Sequence, residues 1–557
     1  MDSAPHLNEP AGRKRWVLIE TGGNQRYIFG SNRLRHVVGA SQLVHEVGTE
    51  WVLAAVRRLG LPDGTVVTMA SGKALLLVDA AEDGKAIIRE VGRRALREAP
   101  GLQVTGVVGP PFDASDAAAH EPARRETYER HAAARAARPD PLVRDRVFPW
   151  HLLCRHSGRP ATGEEQYGDE TPVPAAAGVL ARSRARDRAR SRLLDQLRSR
   201  LSEVVPAHLD ELRHSGWVAV VHADGNGVGG LFRGFIDHIG RIEGCGEVSL
   251  ATHTRYQRAV SEELEAATWD AVRDAVAALL EERPGEDLSG RLLPIVVGGD
   301  DVTLACDAAL AVRFVRHFAD AYSRRTAAQP TLSAVAEAAT GHAGLTASAG
   351  IAVVKLHHPF ATAYALAEAL TASAKRFRPG GRSLAGFDLH VAHASTLREP
   401  EHLREYVEAA DGAPRVARHA GPYLVGRAED LPDELRHRSV ELLDEVCDWL
   451  EPAEWLSAAQ AHALREAADR SLAEYRYQLK LTVDRAPELK RARARALLDV
   501  QSLPVGGDEG RASRADDVDQ GGPFLRLFDA LHLRGLRLDS PTPSTTGSGS
   551  TSDGGAS

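Results

Sequence analysis

The chain has 557 residues, 43% of them hydrophobic and 26% charged, with a formal net charge of −7. These figures describe a globular protein with more than one core, and the overall charge does not advertise nucleic-acid binding; Met1 to Lys14 contain no apolar targeting segment and no apolar run reaches bilayer length, so the expected location is cytoplasmic, with no membrane partner. The four cysteines, Cys154, Cys245, Cys306 and Cys447, lie far apart with no CxxC pair, so neither a disulfide framework nor a cysteine zinc site is expected.

The first elements follow one another as strand, helix, hairpin, helix, strand. Trp16–Glu20 is an apolar strand, Asn32–Leu59 has helical apolar spacing, and Thr65–Ala70 and Ala74–Val78 flank a turn at Ser71-Gly72-Lys73. A helix over Ala81–Glu98 and a strand over Gln103–Val108 complete a β-α-β-β-α-β order, the ferredoxin-like pattern.

From Gly109 to Arg200 the chain is rich in Pro, Arg and Ala and reads as an irregular linker with helices. Its arginines at 182, 184, 186, 188, 190 and 192 spread around a helix and form no single face, which favours a solvated helix over an RNA-contacting patch. Cys154-Arg155-His156-Ser157 resembles half of a zinc knuckle whose second cysteine is Ser157, and its expected role is structural.

The same element order then returns. Trp217–Ala223 is a strand ending in Asp224-Gly225-Asn226-Gly227, helical stretches lie between Gly230 and Glu282, and a hairpin spans Leu293–Cys306. A helix over Ala308–Arg325, a strand over Leu345–Val354 and a helix over Phe360–Arg376 follow. Aligning Trp16 with Trp217 sets Gly23 opposite Asp224, and aligning the hairpins sets Ser71-Gly72-Lys73-Ala74 opposite Gly298-Gly299-Asp300-Asp301. One copy keeps its acids and the other has lost them.

The hairpin tip Gly298-Gly299-Asp300-Asp301 carries the chemistry. Gly-Gly lets the backbone turn tightly, and adjacent carboxylates repel, so a divalent cation is their natural partner. With Asp224 at a neighbouring strand end, the layout is that of a palm in which carboxylates hold two metal ions, Mg²⁺ or Mn²⁺, on a triphosphate. Neighbouring strand residues point to opposite faces, so unless the turn breaks the alternation one of Asp300 and Asp301 joins Asp224, and Asp300 is favoured.

Two other readings of the Asp224 loop exist. A calcium loop fails, because Val228 and Phe235 stand where ligands are required. Gly225-x-Gly227-x-x-Gly230 has the spacing of a dinucleotide fingerprint, with Glu243 as the ribose acid, and predicts an oxidoreductase. Lys375, at the end of its helix, either complements the helix dipole or reaches a triphosphate. His357-His358-Pro359 reads as a turn. Beyond Pro400, Pro432–Leu450, Ala458–Lys480 and Pro487–Asp499 read as helices, and the Ser/Thr/Gly/Pro stretch after Leu538 as a disordered tail.

Together these segments give an α+β chain of two ferredoxin-like palm domains, the first degenerate (12–108) and the second with the Gly-Gly-Asp-Asp hairpin (201–395). A linker with an eroded zinc knuckle (109–200), a helical C-terminal domain (396–537) and a tail (538–557) complete it.

The Gly298–Asp301 palm, the degenerate palm before it, the stretch from Gln25 through Arg35 to Val38-Gly39-Ala40-Ser41 and the helical C-terminus resemble the large polymerase-cyclase subunit of type III CRISPR effectors. More distantly, the second palm is similar to GGDEF diguanylate cyclases. The resemblance implies joining of nucleoside triphosphates, ATP favoured, into a cyclic oligoadenylate messenger in antiviral defence. It implies Asp224 and Asp300 bridging two metal ions, Asp301 as a further ligand, backbone groups of Gly225, Asn226 and Gly227 cradling phosphates beside Gly298 and Gly299, and Lys375 neutralising the triphosphate. RNA, CRISPR effector subunits and a second copy of the chain are the partners it brings into view. The chain departs from that family in length and in starting almost at the first palm, so no nuclease activity on DNA is expected. The rival class is a non-catalytic, nucleotide-binding scaffold subunit of an RNA-guided complex.

Overall fold

The computed structural model describes residues 12–138, 147–168, 171–282, 284–378 and 383–392. In the C-terminal part it describes 406–407, 416–417, 419, 421–450, 457–488, 491, 529–530 and 533. The expected tail after Leu538 and most of the expected Pro487–Asp499 helix lie outside the described residues.

The first half is built on β1 (Arg13–Gly22), β2 (Val66–Ala70), β3 (Lys73–Val78) and β4 (Gln103–Asp113). Its helices are α1 (Asn24–Ile28), α2 (Leu34–Gly48), α3 (Glu50–Arg58), α4 (Ala81–Glu98) and α5 (His120–Ala136). The strands order as β2-β3-β1-β4, every pair antiparallel. That is the expected ferredoxin-like sheet. Alternation explains its two-sided burial: Val17 and Ile19 join one apolar cluster, while Trp16 and Leu18 face another.

Next come the short ribbon β5 (Gly163–Glu165) and β6 (Val173–Ala175) and the helix α6 (Ala177–Leu197). The second sheet contains β7 (Trp217–Gly225), β8 (Leu292–Gly298), β9 (Asp301–Asp307), β10 (Ala347–Lys355) and β11 (Gly386–Val391). Its helices are α7 (Val228–Arg233), α8 (Phe235–Glu243), α9 (Leu250–Glu282), α10 (Ala308–Ala327), α11 (Pro330–Thr340) and α12 (Phe360–Arg376). The short strands β12 (Tyr406–Val407), β13 (Val416–Ala417) and β14 (Tyr423–Leu424) follow, then helices α13 (Val440–Leu450), α14 (Ala458–Arg470) and α15 (Leu472–Asp484). The second sheet runs β14-β11-β10-β7-β9-β8, so β10-β7-β9-β8 repeats the order β4-β1-β3-β2 of the first. The chain is thus α+β, with one topology used twice and extended at one edge by the parallel strand β11 and then by the short antiparallel strand β14.

Strand pairing corrects the expected repeat alignment. Both hairpins have two-residue turns, Ser71-Gly72 between Ala70 and Lys73, and Gly299-Asp300 between Gly298 and Asp301. Gly72 therefore stands for Asp300 and Lys73 for Asp301, one position off the sequence alignment. Glu20, which pairs with Lys73, stands for Asp224, which pairs with Asp301. Gly23 does not. A tryptophan alignment fails here because one shared bulky residue cannot set a register that hydrogen-bonded pairing sets. With Lys73 at the place of an acid, the first palm lacks the triad of the second.

The solvated reading of the arginine-rich helix is also corrected. α6 packs along α2 through a buried stripe at Ala181, Ala185, Ala189, Leu193 and Leu197. A Cβ on Gly39 would lie 2.0 Å from the Arg182 carbonyl oxygen, so the two backbones are in close contact. Arg188 donates to Glu46 (2.8 Å) and Arg192 to Gln42 (2.7 Å). Small residues every fourth position let the helices approach while the long arginine stems lie along the seam.

One packing contact predicts acid sensitivity. His253 of α9 is fully buried against Trp16 and His120, and burial, with the charge of Arg124 and of His120 adding, lowers its pKa to about 3. The folded form is neutral, whereas an unfolded histidine takes a proton below about pH 6.5. Its contribution is therefore complete above that pH and lost as pH falls towards 3; between pH 7 and pH 5 the linkage amounts to about 2 kcal/mol. His253→Phe is expected to flatten the fall in melting temperature between pH 7 and pH 5, and an unchanged slope would refute the assignment.

A carboxylate cluster at the meeting of the two palms

The strand β7 is an apolar run whose residues are buried on both faces until it reaches Asp224. Its neighbours β9 and β10 are both antiparallel to it. A dinucleotide site needs a parallel βαβ unit after the strand, so the fingerprint reading is removed; Glu243 instead pairs with Arg255 at 2.8 Å.

At the β8–β9 hairpin, Gly299 has φ 62° while Asp300 keeps a negative φ, a conformation that glycine adopts without steric cost. Thr268 of α9 donates to the Gly299 carbonyl at 2.6 Å and ties the turn down. Because Asp300 sits in the turn and Asp301 is the first residue of β9, the turn breaks the strand alternation. Asp224, Asp300 and Asp301 each bring a carboxylate oxygen to within 4.8 Å of the others, the one such group of potential metal ligands among the described residues. All three expected acids therefore converge, Asp301 included.

Three carboxylates at this spacing resist ionising together. Burial, and then the charges of Asp301 and Asp224, push the Asp300 carboxyl well above the usual carboxylate range. Burial and Asp224 push Asp301 the same way, with Lys375 opposing. The Asp301 side chain reaches solvent, which lessens the burial penalty and leaves the Asp224 charge as its main perturbation. Lys375, in the last turn of α12, donates to the Asp224 carboxylate and to the Gly225 carbonyl at 3.0 Å.

The donor set consists of hard oxygens with excess negative charge, which fits Mg²⁺ or Mn²⁺ and not a soft metal. Asp224, Asp300 and Asp301 would hold such an ion.

The loop after Asp224 is held from below. Asn226 donates through Nδ2 to Thr346 Oγ1 (3.0 Å) and the Leu384 carbonyl (3.2 Å), accepts from Ser348 (2.9 Å), and its amide donates to the Thr346 carbonyl (2.8 Å). Asn226 is committed to holding the loop against β10. Gly227, with φ 80°, precedes α7 and brings the first amides of that helix to the loop. Gly298 packs against the other palm: a Cβ there would meet Ser71 at 3.2 Å, so the two hairpin tips touch.

Other residues at the site gave no signal in the sequence. Tyr322 of α10 is buried with no partner for its hydroxyl, and a Cβ on Gly225 would lie 2.8 Å from that hydroxyl and 2.9 Å from Asp300 Cβ. From the first palm, Gln25 of α1 donates to Glu368, and Phe29 stacks on Tyr364 at 3.8 Å. Tyr322 and Tyr364 look like ordinary core aromatics of apolar helix faces, and only the folded arrangement sets them beside the acids.

Beside the eroded knuckle, whose expected role is structural, lies a buried polar network. Glu165 accepts from His36 (2.7 Å) and Arg35 (3.4 Å), with His156 3.4 Å from its other oxygen. Its carboxyl is held at about 2: burial acts against this, but the hydrogen bond and charge of His36, with Ser183 and Arg35, outweigh it.

Residues 217–382 match the family model for Cas10/Cmr2, second palm domain. Among solved structures, the chain is similar to the Csm1–Csm4 cassette in complex with cA4, with TM-score 0.45, 14% identity, and coverage of 95% of this chain and 70% of that one. It is also similar to the Csm1–Csm4 subcomplex in the type III-A CRISPR-Csm interference complex (TM-score 0.45, 13% identity, 95% and 70% covered). A third is the apo Csm1–Csm4 cassette (TM-score 0.43, 13%, 97% and 72%). No curated protein matches the chain.

Proposed function

We propose that this protein is a divalent-metal-dependent nucleotidyltransferase that joins nucleoside triphosphates, ATP first among them, into a cyclic oligonucleotide, as a subunit or relative of type III CRISPR effectors. The observation that carries the reading is the convergence of Asp224, Asp300 and Asp301 beside Lys375, inside the segment that matches the Cas10/Cmr2 second palm.

In the reaction a ribose hydroxyl oxygen attacks the α-phosphorus of a second triphosphate, a P–O bond forms, the bond to the β-phosphate oxygen breaks, and pyrophosphate and the hydroxyl proton leave. The bound divalent ions would supply Lewis-acid stabilisation of that charge and lower the pKa of the attacking hydroxyl. The chain's own groups supply the rest. Lys375 gives up Asp224 to meet the triphosphate; the two contacts it makes fix its Nζ at the strand end before substrate arrives. Asn226 keeps the β7–α7 loop in place, Gly225 and Gly227 allow backbone approach, and Gly298 and Gly299 set the hairpin. The first palm closes the other side through Gln25 and Phe29.

Incubation of the full chain with the four ribonucleoside triphosphates and Mg²⁺ or Mn²⁺, with products read by mass spectrometry, tests the proposal. A cyclic product is expected, absent from Asp300→Ala/Asp301→Ala and reduced in Lys375→Met, which still binds the ion. Triphosphate binding without product, in the presence and absence of RNA, would favour the scaffold reading. No metal-dependent binding would end the proposal.

A further inference from the structure

An aromatic stripe of α10 ends at the carboxylates. Phe314, Phe318 and Tyr322 lie four residues apart, so they share one face of the helix. All three are buried, and their rings follow one another at 5.9 and 5.7 Å between centroids. Only the last ring of the stripe carries a hydroxyl, and that hydroxyl is the atom that meets the site.

We infer that Tyr322 is a positioning residue of the carboxylate cluster: in the ion-bound protein its hydroxyl donates to the Asp300 carboxylate and holds that carboxylate in the orientation that meets the ion. The inference rests on the proposed metal-dependent reaction and deepens it.

Two observations carry it. The first is an unmet donor. The Tyr322 hydroxyl is buried and has no hydrogen-bond partner. A buried hydroxyl left unpaired is destabilising, and a phenylalanine, as at the two earlier places of the stripe, would fill the space without that cost. A tyrosine here gains only in a state that gives its O–H an acceptor.

The second is what surrounds the hydroxyl. A Cβ on Gly225 would lie 2.8 Å from it, 2.9 Å from Asp300 Cβ and 2.9 Å from a Val228 methyl, so the phenol, the hairpin turn and the strand end crowd round one point. Val228 offers no side-chain acceptor, and the Gly225 carbonyl already accepts from Lys375 at 3.0 Å. Asp300 is the side chain of that group with acceptors to offer. Burial, and then the charges of Asp300, Asp224 and Asp301, push the phenol far above its ordinary value, so it keeps its proton and meets the acids as a donor. An O–H bond to a charged carboxylate is stronger than one to a neutral group, so the contact favours the charged, ion-holding form of Asp300. A donor on one carboxylate oxygen leaves the other to the ion, which is how outer groups orient the carboxylates of a metal site.

The test uses the full chain and Mn²⁺. Tyr322→Phe keeps the ring and removes the hydroxyl alone. Its melting temperature in EDTA is expected to equal or exceed that of the wild-type protein, while its affinity for Mn²⁺, read by electron paramagnetic resonance of the free ion, is expected to fall about tenfold. Adding Mn²⁺ is expected to give the wild-type protein a near-ultraviolet tyrosine difference spectrum that the variant lacks, a change that a role in packing alone would not produce. Equal Mn²⁺ affinity in the two proteins would overturn the inference and leave the metal reading standing. A lower melting temperature of the variant in EDTA would overturn it too, by showing that the hydroxyl has a partner without the ion. No Mn²⁺ binding by the wild-type protein would instead end the metal reading itself, and this inference with it.

Discussion

Asp300→Asn is expected to raise the melting temperature of the metal-free protein while removing the proposed metal-dependent activity. Without an ion, Asp224, Asp300 and Asp301 sit within 4.8 Å of one another, and burial and mutual repulsion raise the Asp300 carboxyl. Amide replacement keeps the side-chain shape and removes the cost of ionising a buried carboxyl between two others. An increase of roughly 1–3 °C is the expected scale. The opposite sign is expected for function, because an amide is a poor ligand for a hard cation. Loss of one of the three carboxylates that would hold the ion is expected to lower turnover about 10³-fold, equivalent to roughly 4 kcal/mol of transition-state stabilisation. Melting curves with and without Mn²⁺ check both halves at once: the wild-type protein gains stability on adding the ion and the variant does not. A lower melting temperature in EDTA would show that Asp300 holds the hairpin, and retained turnover would remove it from the reaction.

That opposition of stability and activity explains why the acids were the most legible part of the sequence. A fold has no reason to set Asp300 and Asp301 side by side at a glycine turn and aim them at a strand-end Asp224, so the conflict with ordinary packing marks function. The doubled β-α-β-β-α-β order was legible for the same kind of reason: Trp217–Ala223 and Leu293–Val297 are short apolar runs punctuated by turn residues. Register was not legible. Which residue of Ser71-Gly72-Lys73 answers Asp300 depends on hydrogen-bonded pairing, and a one-residue slip leaves the local pattern equally plausible. The choice between Asp300 and Asp301 turned on whether the hairpin breaks the strand alternation, which the sequence left open; it does, because Asp300 lies in the turn and Asp301 begins the strand. The edge strand β11 and the helix α11 were missed: Gly386–Val391 is a short mixed run, whereas Pro330 at the first turn of α11 was a start signal that went unused. The burial of α6 was hidden behind its arginines, although Ala181, Ala185 and Ala189 carried the packing signal at every fourth position.

The dependence of the site on helix placement gives the other large effect. Gly350 lies in β10 between His222 of β7 and Asp388 of β11, and α12 crosses directly over it. A Cβ at that position would be 1.9 Å from the Ala367 carbonyl oxygen and 2.5 Å from the Thr371 amide nitrogen. Both obstacles are helix backbone, so no side-chain rotation relieves the clash and α12 must lift from the sheet. Thr371, which donates to the His222 carbonyl at 2.9 Å, anchors the helix to β7 at that level. One turn later Lys375 reaches Asp224 and the Gly225 carbonyl, so a lifted helix withdraws the lysine from the strand end and its carboxylate. Gly350→Ala is expected to cost about 3 kcal/mol or more and to abolish product formation. Gly92→Ala, on an open face of α4 with nothing within 4 Å of the added carbon, is the matched control and is expected to stabilise by roughly 0.5–1 kcal/mol. Thermal melts in EDTA separate the two consequences. A large drop for Gly350→Ala, unchanged by Mn²⁺, places the damage in the β10–α12 contact and makes the lost lysine its result; an unshifted melting temperature with lost activity would show that the helix stays seated and that Gly350 acts at the site by another route.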